Sequence, residues 1–358
     1  MKNLKILAVA GLVGAAMTVS SAASACSTDD LDGCIGKPWV DGDVMETPLG
    51  SKWWPNALWG EGDQAGSTNW YTKSEVVLRA IAEIKQGKVL KLGHEYHSEM
   101  PLFGARKFSL RIPGTPTGGP FGANAIMWND EFLATEVGQV GTQFDGLGHI
   151  GVQVGAAGDK NEMRWYNGFS AAEMGSPYGL QKLGVEHLNP IVARGIMLDI
   201  AGYRGIDSMA AGEVISMDDV RGALAKQGMS DYVGMPGDAI IFRTGWEMYW
   251  EDPAAFNAGC PGTGMEVARW IAEDVKAGVT GADTWPGDAV PNPDPACAFC
   301  VHQFLQTRHG IINQENMKLS EAASMGVYQF AYFYSPAPIR GATGSMGAPV
   351  AISIVAYS

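Results

Sequence analysis

The sequence predicts a single α/β domain, and three observations carry that expectation. Segments with apolar residues at helical spacing mix with short apolar runs bounded by glycine, without a strict strand–helix–strand rhythm. No internal repeat divides the chain. Of its 358 residues, 46% are hydrophobic, and the roughly 330 left after an N-terminal leader can bury one large core or two modest ones.

In chain order, residues 1–25 read as a leader. Lys2 and Lys5 form a positive start, residues 6–19 an apolar stretch of 14, and Ala23-Ser24-Ala25 a small-residue cleavage site. That stretch is shorter than the 18 or more residues of a membrane span, and no later segment qualifies. The expectation is a soluble protein, periplasmic or secreted, with lipidation at Cys26 the lesser alternative. Losing Lys2 and Lys5 takes the formal charge from -13 to -15, which argues against nucleic acid and anionic lipid as partners.

Residues 26–75, rich in Gly, Pro, Asp and Trp, read as an irregular arm over the core, with the main domain spanning 76–358. A helix is expected over 74–87, with Ser74 as cap and Gly87 as stop, followed by a strand over 88–95 and a flexible Gly/Pro loop over 113–122. Residues 164–168 suggest a hairpin-like turn and 195–200 a buried strand. A capped helix over 216–228 has Asp218 and Asp219 favouring its start. Strands follow at 239–243, 280–284, 311–313, 329–334 and 349–356, with helices at 264–277 and 302–309 and a Gly-rich loop at 340–345. Five cysteines in an exported chain suggest disulfides: Cys26 with Cys34, and Cys297 with Cys300 or either of these with Cys260. The Cys-x-x-Cys spacing would also suit a metal, although no second pair exists.

The chemistry concentrates in residues 139–149, Gln-Val-Gly-Thr-Gln-Phe-Asp-Gly-Leu-Gly-His. Gln139, Gln143 and His149 stand at even offsets from Asp145, so on a strand all four would share one face. A Gly-rich polar turn is the bland alternative. His302 and Glu315 are further candidates, since a helix followed by a strand could return both beside Asp145. Carboxylates and imidazoles bind divalent cations, but a surface histidine and a Glu315–Lys318 pair would account for them equally. No G-x-S-x-G elbow suggests a covalent nucleophile.

The chain resembles the cyclase family of metal-dependent hydrolases, which includes kynurenine formamidases and isatin hydrolases. The family hallmark H-x-G-T-H-x-D-x-P-x-H is matched in register by Gln139-x-Gly141-Thr142-Gln143-x-Asp145-x-Leu147-x-His149. The resemblance continues through residues 236–246, 279–284, 302–305, 310–316 and 341–352. It implies a swivelling β/β/α fold, metal ligands at Gln139, Gln143, Asp145, His302 and Glu315, and an acid/base histidine at His149. It further implies one or two divalent ions, a small-molecule substrate and a homodimer or homotetramer. The expected activity is hydrolysis of an amide, ester or lactone in a small compound of cyclic or aromatic type, in the manner of an arylformamidase.

Two family histidines are glutamines here and the motif proline is Leu147. A neutral amide oxygen is a harder, weaker donor than imidazole, so manganese is expected before zinc, and a metal-free site stays open. A lyase or dehydratase, or a non-catalytic binding protein on the same fold, are the alternatives. His94 and His97 are read as structural or substrate-lining, and His187 and His309 as loop and helix-end residues. Trp53, Trp54, Trp59 and Trp70 either cover the core or line an aromatic pocket.

Overall fold

The computed structural model describes residues 46–353 apart from 48, 86 and 156. The expected leader over 1–25 and the Cys26–Cys34 pairing lie outside the described residues. Among the described residues, no helix is long and apolar enough to cross a membrane.

The architecture is mixed α/β around a nine-stranded sheet. Its order is Gly344–Met346, Gln143–Asp145, Ile312–Glu315, Val279–Ala282, Ala239–Arg243, Ile191–Asp199, Gln329–Tyr334, Val350–Ser353 and Lys88–Lys91. The four strands from Ile312–Glu315 to Ile191–Asp199 are parallel, and those at both flanks join antiparallel. Of these, Ile191–Asp199 and Ala239–Arg243 are largely apolar because both of their faces are covered, whereas Ile312–Glu315 carries Asn313, Gln314 and Glu315. Ile196, Leu198, Ile240 and Phe242 pack with Val267, Ile271, Val301 and Phe304 on one side. Met197, Ile241, Val279 and Ile312 pack with Val76, Leu90, Phe330 and Tyr332 on the other.

Strands 239–243 and 329–334 stand where the sequence puts them. The buried strand expected at 195–200 is longer, Ile191–Asp199, because its earlier residues pair with Gln329–Tyr334. The helix Met217–Lys226 is closed by a reciprocal cap. The Ser216 hydroxyl accepts from the Asp219 amide, and the Asp219 carboxylate accepts from the Ser216 amide. Arg204 adds a two-pronged contact that holds Asp219 at about 2.

Other elements differ in extent. The helix expected over 74–87 ends at Ile81, and Lys73 rather than Ser74 precedes it, without a side-chain cap. The next strand stops at Lys91, because Gly93 packs closely on Ala348 and His94 turns away to stack on Trp250. Residues 264–277 form an α-helix, Met265–Arg269, that widens into a π-helix, Trp270–Val275, and closes at Lys276 with φ 57°. The 113–122 segment is not simply a loop: Gly118–Phe121 pairs with Ile126–Trp128. Without a Cβ, Gly118 lets the Trp128 ring lie directly on the backbone. Further toward the body, Phe108–Arg111 pairs with Phe132–Thr135.

Of the arm, residues 49–72 fold over the body. Trp53 is buried in the main core, and the Trp53–Trp54 and Trp59–Trp70 pairs meet edge to face, each with centroids 4.8 Å apart. The tryptophans cover the core.

Candidate active site

The site starts from two neighbouring strands. Gln143–Asp145 runs antiparallel to Ile312–Glu315, with Glu315 opposite Gln143 and Asn313 opposite Asp145. Alternate residues of a strand share a face, so Gln143, Asp145, Asn313 and Glu315 form one patch, and all four are buried. Gln143 Nε2 donates to Glu315 Oε2 at 2.7 Å, and Asn313 Nδ2 donates to Glu315 Oε1 at 2.8 Å. Phe144 and Gln314 point to the opposite face; Phe144 enters the core, while Gln314 donates to the Gln143 carbonyl and accepts from Tyr332.

The same-face expectation holds for Gln143 and Asp145 but not for the whole segment. The strand covers only residues 143–145, and Gln139 and His149 reach the site on turns either side of it. Gly141 takes φ 61°, and Gly138 packs against Gly344, where any Cβ would collide with backbone. Gln139 then lies beside the site, donating from Nε2 to Asp145 Oδ1 at 2.7 Å while its Oε1 accepts from Arg106 at 2.9 Å. On the other side, the His149 amide closes a turn onto the Gly146 carbonyl at 3.0 Å. Its Nδ1 lies 3.4 Å from Gln139 Nε2.

His302 comes from the third segment. The helix Cys300–His302 passes at Gln303 into a π-helix that ends at Arg308, a widening often found at functional sites. Its first turn is held by the buried Asp288 carboxylate, which accepts from the Val301 amide at 2.9 Å and the His302 amide at 3.1 Å. The Cys297–Cys300 disulfide joins the same turn to the preceding loop, which leaves Cys260 as a free, buried thiol. Further along this helix, Gln306 donates to the Asp145 carbonyl at 2.9 Å.

All six residues marked out in the sequence therefore meet: Gln139, Gln143, Asp145, His149, His302 and Glu315. Asp145 Oδ2 lies 3.1 Å from His302 Nε2 and 3.9 Å from His149 Nε2, and His302 Nδ1 lies 3.8 Å from Glu315 Oε1. Burial acts to raise the Asp145 carboxyl, but the facing His149 and His302 imidazoles outweigh it and hold the group below its ordinary range. Glu315 goes the other way, pushed well up by burial and by the Asp145 charge. His149 is pulled down by burial against the opposing attraction of Asp145, which favours its neutral form. His302 is raised, since contact with Asp145 overcomes its burial.

Two of these atoms, Asp145 Oδ2 and His302 Nε2, are buried and face each other at 3.1 Å without meeting hydrogen-bond geometry. Buried polar atoms held out of hydrogen-bond geometry are costly unless something satisfies them. Asp145, His149 and His302 each aim one ligand atom into a common space, all within 4.8 Å of one another. With Glu315 beside them, this donor set fits a divalent cation. The two glutamines are occupied differently: their amide nitrogens hold the carboxylates, and Arg106 takes the Gln139 oxygen.

The cluster opens on a cavity of about 260 Å³. Phe103, Phe256, Trp285 and Phe299 form much of its wall, with Arg106 near the cluster. Phe103 stacks on Trp285 at 4.3 Å, and Trp285 meets Phe299 edge-on at 6.0 Å. Arg106, Asn313 and these aromatics escaped the sequence reading. Asn313 alone had a usable signal, its even spacing from Glu315. None of Trp53, Trp54, Trp59 and Trp70 borders the cavity. Nor does His94, which burial lowers to about 4, or His97, which faces Glu99. His187 sits exposed beside Glu186, and His309 is half-buried against Phe304 and lowered to about 3 by desolvation.

Comparison with known proteins gives the family and the fold. A family model described as putative cyclase matches residues 90–289. A solved structure of a novel cyclase is 30% identical, aligned over 82% of this chain and 96% of its own, with a TM-score of 0.69. Isatin hydrolase A from Ralstonia solanacearum is 18% identical over 75% of this chain and 92% of its own, at a TM-score of 0.53. Isatin hydrolase A from Labrenzia aggregata is 16% identical over 80% and 99%, at 0.52. Among curated proteins none matches. The family match takes in Gln139 to His149, and the similarity to a solved cyclase extends over most of the chain: this protein belongs to the putative cyclase family.

Proposed function

We propose that this protein is an exported, metal-dependent hydrolase that opens an amide, ester or lactone bond in a small aromatic or cyclic substrate. The observation that carries the reading is the convergence of ligand atoms from the buried Asp145 and His302 and from His149 at the end of an aromatic-walled cavity. Asp145 and His302 would hold the ion, with Glu315 next in reach and His149 beside it. When bound, a divalent ion supplies Lewis acidity, polarising a carbonyl and making water more acidic.

The rest falls to the protein's own groups. Burial lowers the His149 proton affinity, so near neutrality the imidazole is free to take a proton from the attacking water and return it to the leaving group. Gln139 bridges Arg106 to Asp145, which fixes the carboxylate and brings a positive charge toward an oxygen that becomes negative in the reaction. Phe103, Trp285 and Phe299 offer flat apolar surface to a ring and thin out the water around it. Export is supported by the charged start, apolar stretch and cleavage signature of residues 1–25.

Hydrolysis of a panel of aryl amides, lactones and esters, run before and after chelation and with manganese restored, tests the reading. Activity should vanish with chelation and return with the ion, and oxygen-18 from water should enter the product. Unchanged turnover in the chelated protein would exclude the metal role, and product free of solvent oxygen would point to elimination.

A further inference from the structure

The Cys297–Cys300 disulfide closes the loop between the strand Val279–Ala282 and the helix Cys300–His302, and the catalytic reading gives it no part. Both cysteines border a second cavity, of about 180 Å³. It shares no lining residue with the aromatic-walled one. Its walls include the buried Thr263 and Met265 and, from the loop, Asn292, Pro293 and Asp294, with residues 293–296 all exposed. The disulfide is therefore approached from the surface on one side, while the active site lies on the other. Within the loop, the Asn292 and Asp294 side chains accept from the amides of Asp294 and Ala296, and the Cys297 amide donates to the Asp294 carbonyl. The disulfide then pins this braced loop to the first turn of the helix.

A disulfide stabilises a whole fold chiefly by cross-linking the unfolded chain, and does so more for longer loops. At a sequence separation of 3, this one acts locally instead. What it fixes locally belongs to the active site. Between the two cysteines, Phe299 takes φ 55°, a left-handed conformation rare for a bulky residue, and from there it joins the wall of the aromatic cavity. His302 follows two residues after Cys300. The buried Asp288 carboxylate, which accepts from the Val301 and His302 amides, has an oxygen within 4.8 Å of both sulfurs. Freed thiols would be S–H donors beside that same carboxylate, in competition with the two amides.

We propose that Cys297 and Cys300 form a thiol–disulfide exchange site for a small soluble dithiol, entered through the second cavity, and that reduction releases the turn carrying Phe299 and His302. A thiolate of the reductant attacks the sulfur of Cys297, the more exposed residue at 9% against 3% for Cys300. The S–S bond breaks, and the Cys300 sulfur leaves and takes up a proton. The reductant's second thiolate then displaces Cys297 from the mixed disulfide. In balance, the protein gains two electrons and two protons as two thiols, and the dithiol is oxidised to a cyclic disulfide.

Treating the native protein with dithiothreitol and then iodoacetamide tests this, with peptide mapping by mass spectrometry and circular dichroism on the same samples. The expected result is alkylation of Cys297 and Cys300 but not of the buried Cys260, with an unchanged spectrum. Amide exchange should show protection lost over residues 299–303, kept in the central sheet, and restored on reoxidation. Cys297→Ser/Cys300→Ser should show the same exchange pattern and no response to dithiol. A pair that yields only when the protein unfolds, or only to a protein-borne dithiol, would overturn the proposal. So would a pair found reduced after purification in air, or reduction that leaves residues 299–303 unchanged. None of these readings involves metal or turnover, so they stand apart from the hydrolase proposal.

Discussion

Replacing Gln143 by leucine tests how the glutamines serve the site. The side chain is buried, so leucine keeps most of its volume, and the change acts mainly on one contact, the 2.7 Å hydrogen bond from Nε2 to Glu315. A hydrogen bond to a charged group contributes about 1.5–3 kcal/mol, and its loss falls on the ionised form of Glu315. Taking 2 kcal/mol, the carboxylate holds a proton about 30-fold more tightly, at 1.36 kcal/mol per tenfold step. Glu315 is already pushed up by burial and by Asp145, so the variant moves it further from the form that accepts a cation. Groups that orient metal ligands typically account for about 10–100-fold in metal affinity. Manganese affinity at pH 7, measured by isothermal titration, should therefore fall by roughly that factor. The loss should shrink as pH rises and the extra proton leaves Glu315. Affinity within about twofold of wild type at pH 7 would refute the reasoning, and a loss independent of pH would refute the proton-competition part of it.

Two further outcomes follow from the same geometry. His149→Ala should lower turnover by about 10²–10⁴, the usual contribution of a general base, while elemental analysis finds the metal retained; loss of the metal would instead make His149 a ligand. Asp283 is buried and pushed up to about 7, first by that burial and then by Glu247, from an ordinary value of 3.8. The folded state thus binds this proton more tightly than the unfolded chain. Stability from this group is present below about pH 4 and declines as pH rises to about 7, by on the order of 4 kcal/mol. Urea unfolding across that window should show the slope for wild type and a flatter one for Asp283→Asn, and equal slopes would count against it.

Features of this chain are legible in its sequence when they are determined over short distances along it. The Ser216–Asp219 cap was legible because both partners lie within one turn of helix. Strands 239–243 and 329–334 were legible because buried strands must be apolar along their length. The spacing of Gln143 and Asp145 reported a true shared face, but strand periodicity ends at Asp145. Turns set by Gly138 and Gly141 carry the chain beyond the strand's reach, and no two-residue period describes them.

The sequence by itself pointed to the α/β class and to the six residues that cluster, through local pattern and a motif still recognisable after two imidazole-to-amide changes. Tertiary structure alone decided which atoms face which. Gln143 holds Glu315 across 172 positions and Arg106 holds Gln139 across 33, while Phe103 from one loop meets Trp285 and Phe299 from the two ends of another to make one wall. The physical reason is that hydrogen-bond direction, burial and the resulting proton affinities depend on what lies within a few ångströms in space. Chain neighbours fix only a small part of those surroundings.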